Sequence, residues 1–259
     1  MRFYEVCKQS IIPNKMLSIK KNVCNILLVV VTGWYSLSGC NDKPLPTQKE
    51  QKPVISLVSY NDSLVDDARD LIRNGDLVLR TGIDYSSEEI KTISPIDKTY
   101  SHGGIAVLEN NDLFVYHIEP DYYHIRDKVR KESIDSFCNP ARNYGIAIAR
   151  YHLNIEQQQR FIDYLELQYL KTIPFDGNFK LESDDSLYCS EMIRKGLAKS
   201  TGNRIQIPTY RFNDKSKFKI IKQYLKLKEE DFINREIIPI DHLFLNPHCT
   251  VLKRYLYLH

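Results

Sequence analysis

The chain has 259 residues, 42% of them hydrophobic and 27% charged. That is length for one folded domain behind a leader, with a sizeable core. A formal net charge of +3 is too small to argue for a nucleic-acid partner, and the composition favours neither enzyme nor binding module. The lysines at Lys215, Lys217, Lys219, Lys222, Lys226 and Lys228 interleave with Phe218, Ile220, Ile221, Tyr224, Leu225 and Leu227. Glu229, Glu230 and Asp231 follow. This is the pattern of an amphipathic helix with a solvated face, not of a phosphate-binding stripe.

Residues 1–40 read as an export signal. Lys15, Lys20 and Lys21 precede the apolar run NILLVVVTGWY at 25–35, which falls short of the roughly 20 apolar residues of a spanning helix. Leu37-Ser38-Gly39-Cys40 comes next and resembles the bacterial lipobox, in which the cysteine is lipidated and becomes N-terminal. The expectation is a lipoprotein of the bacterial cell envelope, held to a membrane through lipid on Cys40. An ordinary signal peptide or a membrane anchor is the alternative. From Met1 the basic region is unusually long; from Met16 it has normal proportions, so Met16 is the expected start. Export opens the way to disulfides, and Cys138 and Cys249 either pair or are buried separately. Residues 41–58, with Pro44, Pro46 and Pro53, read as an extended tether, and 59–259 as the folded domain.

Within that domain, residues 63–73 have Leu64, Ala68, Leu71 and Ile72 at helical spacing behind a serine cap, stopped by Asn74-Gly75. Residues 76–80 form a short buried strand. Residues 81–99 are polar and irregular with a helix near 86–92, the kind of segment that borders a cleft. Strands at 100–108 and 113–118 flank the turn Glu109-Asn110-Asn111-Asp112. A two-residue loop there sets Leu108 opposite Leu113, Gly104 opposite His117 and His102 opposite Glu119. His102, His117 and Glu119 then share one face, unless a bulge shifts the register. Residues 122–137 read as loop with some helix, and 144–150 as a strand. Residues 155–170, capped by Asn154 and ended by Pro174, form a helix with Phe161, Ile162, Leu165 and Tyr169 on its inner face. A last strand is expected at 250–258.

The stretch DDSLYCSEMIRKGL, residues 184–197, carries the candidate nucleophile. Residues 183–186 are all good N-cap types, and Cys189, Met192, Ile193, Gly196 and Leu197 recur at helical spacing. A first-turn thiol meets the positive end of the helix dipole and unpaired N–H groups, which favour the nucleophilic thiolate. A buried structural cysteine is the plainer alternative. Cysteine hydrolysis also needs a base, a group that orients it, and donors for an oxyanion. His102 supplies a base at the start of a strand, and His117 or Glu119 an orienting group on the next.

Gly75-Asp76-Leu77-Val78, Tyr100-Ser101-His102-Gly103-Gly104-Ile105, Val115-Tyr116-His117, Pro174-Phe175-Asp176, and Asp184-Asp185 through Tyr188-Cys189-Ser190-Glu191 recur in that order. Together they resemble the circularly permuted papain-like amidases of the YiiX/YaeF type, in the NlpC superfamily. The resemblance runs from about Gly75 to Gly202. It implies an α+β fold, an antiparallel sheet packed against a nucleophile-bearing helix, with the histidine strand ahead of the cysteine helix. It implies Cys189 as nucleophile, His102 as base and His117 in the third position. Many relatives have an acidic residue there, while the related lecithin–retinol acyltransferase group uses a histidine, so Glu119 stays open as the alternative. The implied activity is amide or acyl hydrolysis through a thioester, without a cofactor, on a peptide, cell-wall or acyl-lipid substrate. A catalytically idle lipid- or peptide-binding lipoprotein of the same fold is the competing reading. A metal held by His117, His102 and His124 with Glu119 matches no common zinc spacing, and none is expected.

Overall fold

The computed structural model describes residues 56–120, 127–216 and 228–259. The leader with Cys40, the tether as far as residue 55, His124 and most of the lysine-rich segment lie outside them.

The architecture is one antiparallel sheet between two helical layers. Its strands are β1 (Leu77–Gly82), β2 (His102–Glu109), β3 (Asp112–His117), β4 (Arg130–Ser133), β5 (Asn143–Tyr151) and β8 (Cys249–Leu256), in the order β4-β3-β2-β1-β5-β8. A short pair, β6 (Tyr210–Arg211) and β7 (Glu236–Ile237), forms a second small sheet. Alternation of side chains divides the core in two. Leu77, Leu79, Ile105, Val107 and Ala147 face helices α4 (Ile155–Leu170) and α5 (Cys189–Ser200). Val78, Ala106, Val115, Ile146 and Ile148 face α1 (Leu57–Leu71) and α3 (Ile134–Phe137). With both faces covered, all six residues of β1 are buried, which is why its sequence lacks polar alternation. Helix α2 (Tyr85–Lys91) follows β1, and the short α6 (Glu229–Phe232) and α7 (Ile240–Phe244) precede β8.

The β2–β3 hairpin has the expected register, Leu108 opposite Leu113 and Glu109 opposite Asp112. Asn110 and Asn111 take φ of 50° and 74°, the left-handed pair that a two-residue hairpin loop demands. Helix α4 spans the expected residues, and Asn154 and Gln157 close a capping box.

Elsewhere the structure departs from the pattern. Helix α1 starts at Leu57, with Ser56 as its cap. It therefore takes in the last two residues assigned to the tether. Ser63 lies inside the helix and donates to the Tyr60 carbonyl. The first turns expose Leu57, Val58 and Tyr60, so they carry no amphipathic signal. Residues 130–133, read as loop, are the edge strand β4. Helix α5 is capped at Tyr188, not at 183–186. Leu187 is held extended because its N–H donates to the Pro174 carbonyl and its own carbonyl accepts from Asp176 N–H. The helix cannot begin before it. Cys138 and Cys249 are both free thiols. They sit in the two different core layers, on opposite faces of the sheet, which rules out a bond between them.

Candidate active site

The site grows from one end of the sheet. Register places Arg80 of β1 opposite His102, the first residue of β2. It places His117, the last of β3, opposite Arg130, the first of β4. These side chains point towards α3, where the Phe137 ring underlies both imidazoles and the Arg80 guanidinium. Gly104 lets the imidazoles meet. A Cβ there would lie 2.5 Å from Val115 Cγ1 and 2.9 Å from His117 Cβ.

His102 Nε2 and His117 Nδ1 are 3.0 Å apart, a hydrogen bond between buried rings. Glu119 Oε2 is 3.6 Å from the same His102 nitrogen, beyond hydrogen-bond range. Its two oxygens instead pair with Arg80 and Arg130. Of the two candidates for orienting His102, His117 therefore makes the hydrogen bond. Cys189 comes from the other helical layer, past the end of β2, and the backbone N–H groups of Ser190 and Gly103 point at its sulfur. Cys189 and His102 line one cavity of about 430 Å³. Arg80, Glu119 and Arg130 share its polar side, and Ile83, Ile90, Ile93, Phe175, Ile237 and Ile238 form an apolar wall. Ser190 Oγ donates to the Ile238 carbonyl, and Tyr188 Oη accepts from Ile238 N–H. These bonds pin the start of α5 to that wall.

The model of the permuted papain-like amidase enzymes, YaeF/YiiX, C92 family, matches residues 71–234. The chain belongs to this family. It is also similar to the crystal structure of the metalloprotein yiiX from Escherichia coli O157:H7, with a TM-score of 0.57 and 20% identity. That match covers 70% of this chain and 96% of the other, and shows a common fold. No curated protein sequence matches the chain.

In this C92-family protein burial governs the electrostatics. Burial drives the His102 pKa down to about 3, with Glu119 opposing and Arg80 and Arg130 reinforcing the shift. His117 is lowered as well, again chiefly by burial. Burial acting on Glu119 is outweighed by the surrounding imidazoles and guanidiniums, which hold its carboxyl well below the usual range. The Cys189 thiol is pushed up to about 11 by burial, against the pull of the Ser190 and Gly103 amides. This corrects the expectation drawn from helix position. Desolvation works against the helix-terminus effect and favours a neutral thiol beside neutral imidazoles at rest.

His102, His117 and Glu119 also bring ligand-type atoms within 4.8 Å of one another. His102 Nε2 and His117 Nδ1 are engaged with each other, and the carboxylate with two guanidiniums. Arg80, Arg130 and Glu132 are the members that sequence reasoning missed. Arg80 could have been found, because a charge at the end of a buried strand requires a partner. The other two lay in a stretch without strand patterning.

Proposed function

We propose that this protein is an envelope lipoprotein that hydrolyses an amide or acyl bond, with Cys189 as nucleophile, His102 as base and His117 as orienting group. The observation that carries this reading is the 3.0 Å bond from His102 Nε2 to the buried His117 Nδ1, with His102 and Cys189 lining one cavity. That bond occupies Nε2 and leaves Nδ1 to receive the thiol proton. As that proton leaves, the sulfur adds to the carbonyl carbon, and the backbone N–H of Cys189, at the first position of α5, helps hold the oxyanion. His102 passes its proton to the leaving amine or alcohol, and a thioester remains. Water attacks the thioester and gives a proton to His102, which returns it to the sulfur as the C–S bond breaks and the acid leaves. Because the resting groups are neutral, proton transfer accompanies attack rather than preceding it. The isoleucine wall suits an apolar group beside the scissile bond. Cys40 carries the lipid, and the tether holds the domain off a membrane.

The related yiiX structure is titled a metalloprotein, and among the described residues His102, His117 and Glu119 are the group that could hold an ion. The donor set does not fit one. Each Glu119 oxygen is on a guanidinium, and two arginines beside the site repel a cation. No step is routed through a metal.

The test is turnover of wall peptide fragments, N-acyl amides and acyl-lipid esters by the parent and by Cys189→Ala. Activity in the parent alone supports the hydrolase. Equal activity in both removes Cys189 from the chemistry, and tight binding without turnover indicates an idle binder. Labelled palmitate incorporated by the parent but not by Cys40→Ser would support the anchor.

A further inference from the structure

We infer that Glu132 is a positioning residue that fixes the proton of His117 on Nε2. This rests on the hydrolase reading above. A neutral imidazole has one N–H and one lone pair. Across the 3.0 Å gap between His102 Nε2 and His117 Nδ1, one nitrogen must carry hydrogen and the other must not. For His102 to take the thiol proton on Nδ1, its own hydrogen must sit on Nε2. His117 Nδ1 must then be bare, and the His117 proton is forced onto Nε2. In the opposite arrangement both protons sit on Nδ1, and His102 has no lone pair for the thiol. One slip of protons along the dyad turns the base off.

His117 is fully buried and its Nε2 has no hydrogen-bond partner. The carboxylate it faces is Glu132, whose Oε1 lies 3.8 Å away and whose Oε2 is also buried and unpartnered. Strand pairing explains the placement. Glu132 stands opposite Val115 and Arg130 opposite His117, so both β4 side chains share the histidine face. The other groups around the dyad are Arg80 from β1, Glu119 beyond β3 and Arg130 itself, with the Phe137 ring from α3. Glu119 is committed to the two arginines. Glu132 Oε1 also lies 3.5 Å from Arg130 Nε, a pairing that keeps the carboxylate charged and leaves it able to accept from an Nε2–H. At 3.8 Å its hold is electrostatic, and such contacts shorten when substrate docks. Carboxylate behind imidazole is a general means of choosing the tautomer.

The test reads the tautomer directly, by long-range 15N–1H NMR of histidine-labelled protein. His117 should be the Nε2–H form in the parent, should gain Nδ1–H in Glu132→Leu, and should stay Nε2–H in Glu132→Gln, whose amide oxygen still accepts. Acylation of Cys189 by p-nitrophenyl acetate should fall by about tenfold or more in Glu132→Leu. With His117→Asn, whose amide oxygen can accept from His102 with no ring proton to be placed, the Glu132→Leu effect should vanish. An unchanged tautomer in Glu132→Leu overturns the inference, as does an equal loss in both backgrounds. Absence of acylation in the parent would instead refute the hydrolase reading, and the NMR result would still decide Glu132.

Discussion

Acid should strip stability from this protein through His102, by an amount that can be worked out. Its folded pKa, about 3, lies below the ordinary 6.5, with burial as the main cause. The unfolded chain takes up a proton that the folded chain refuses. This contribution is therefore intact above pH 6.5 and is lost as pH falls towards 3. At pH 5 the loss from this one side chain is about 2 kcal/mol. The groups around it are His117, Glu119, Arg80, Arg130 and Asp84, and all remain in His102→Gln. Urea unfolding of parent and His102→Gln, followed by circular dichroism at pH 7 and pH 5, isolates the effect. The parent should lose about 2 kcal/mol more than the variant over that interval. His117 has the same sign and is present in both. Equal losses would show that His102 is not held neutral by burial, and the neutral resting site would have to be abandoned.

Gly104→Ala should destabilise the fold by about 1–3 kcal/mol, as overpacking does. It should also cut acylation of Cys189 more than Gly196→Ala, whose added carbon strikes Phe161 and Tyr164 between α4 and α5; stopped-flow acylation and thermal melts of both variants check this. Burial raises the Glu191 carboxyl pKa to about 7, with Lys195 opposing, so that contribution is full below about 4.5 and drains as pH rises through 7. Glu191→Gln should therefore lose less stability than the parent from pH 5 to pH 8 in the same urea assay. Mass spectrometry after alkylation without reductant should find Cys138 and Cys249 both modified once the protein is unfolded, and a linked peptide would contradict the two-layer core. Prior treatment with a strong chelator should leave p-nitrophenyl acetate acylation unchanged, and a loss restored by zinc would contradict the poor fit of a metal.

The parts legible in the sequence were those governed by local rules. Asn110-Asn111 fixes a turn, the turn fixes a register, and the register puts His102 and His117 on one face. Asn154 and Gln157 announce α4 through their reciprocal cap. What escaped depended on distant partners. Strand β4 reads RKES, and nothing in those residues reveals that β3 lies alongside. The start of α5 is set by the bridge between Phe175 and Leu187, not by the serines and aspartates ahead of it. Asp184 instead pairs with Lys195 and Lys199. The thiol followed the same rule. Position in a helix is written in the chain, whereas the desolvation that outweighs it comes from the walls of the cavity.

The two imidazoles belong to one side of the sheet and the sulfur arrives with the helical layer of the other. A partly folded molecule with a single layer docked holds only half of the constellation. Any cutting power is thus withheld until the sheet is clad on both sides. The order of assembly itself then acts as the safety catch.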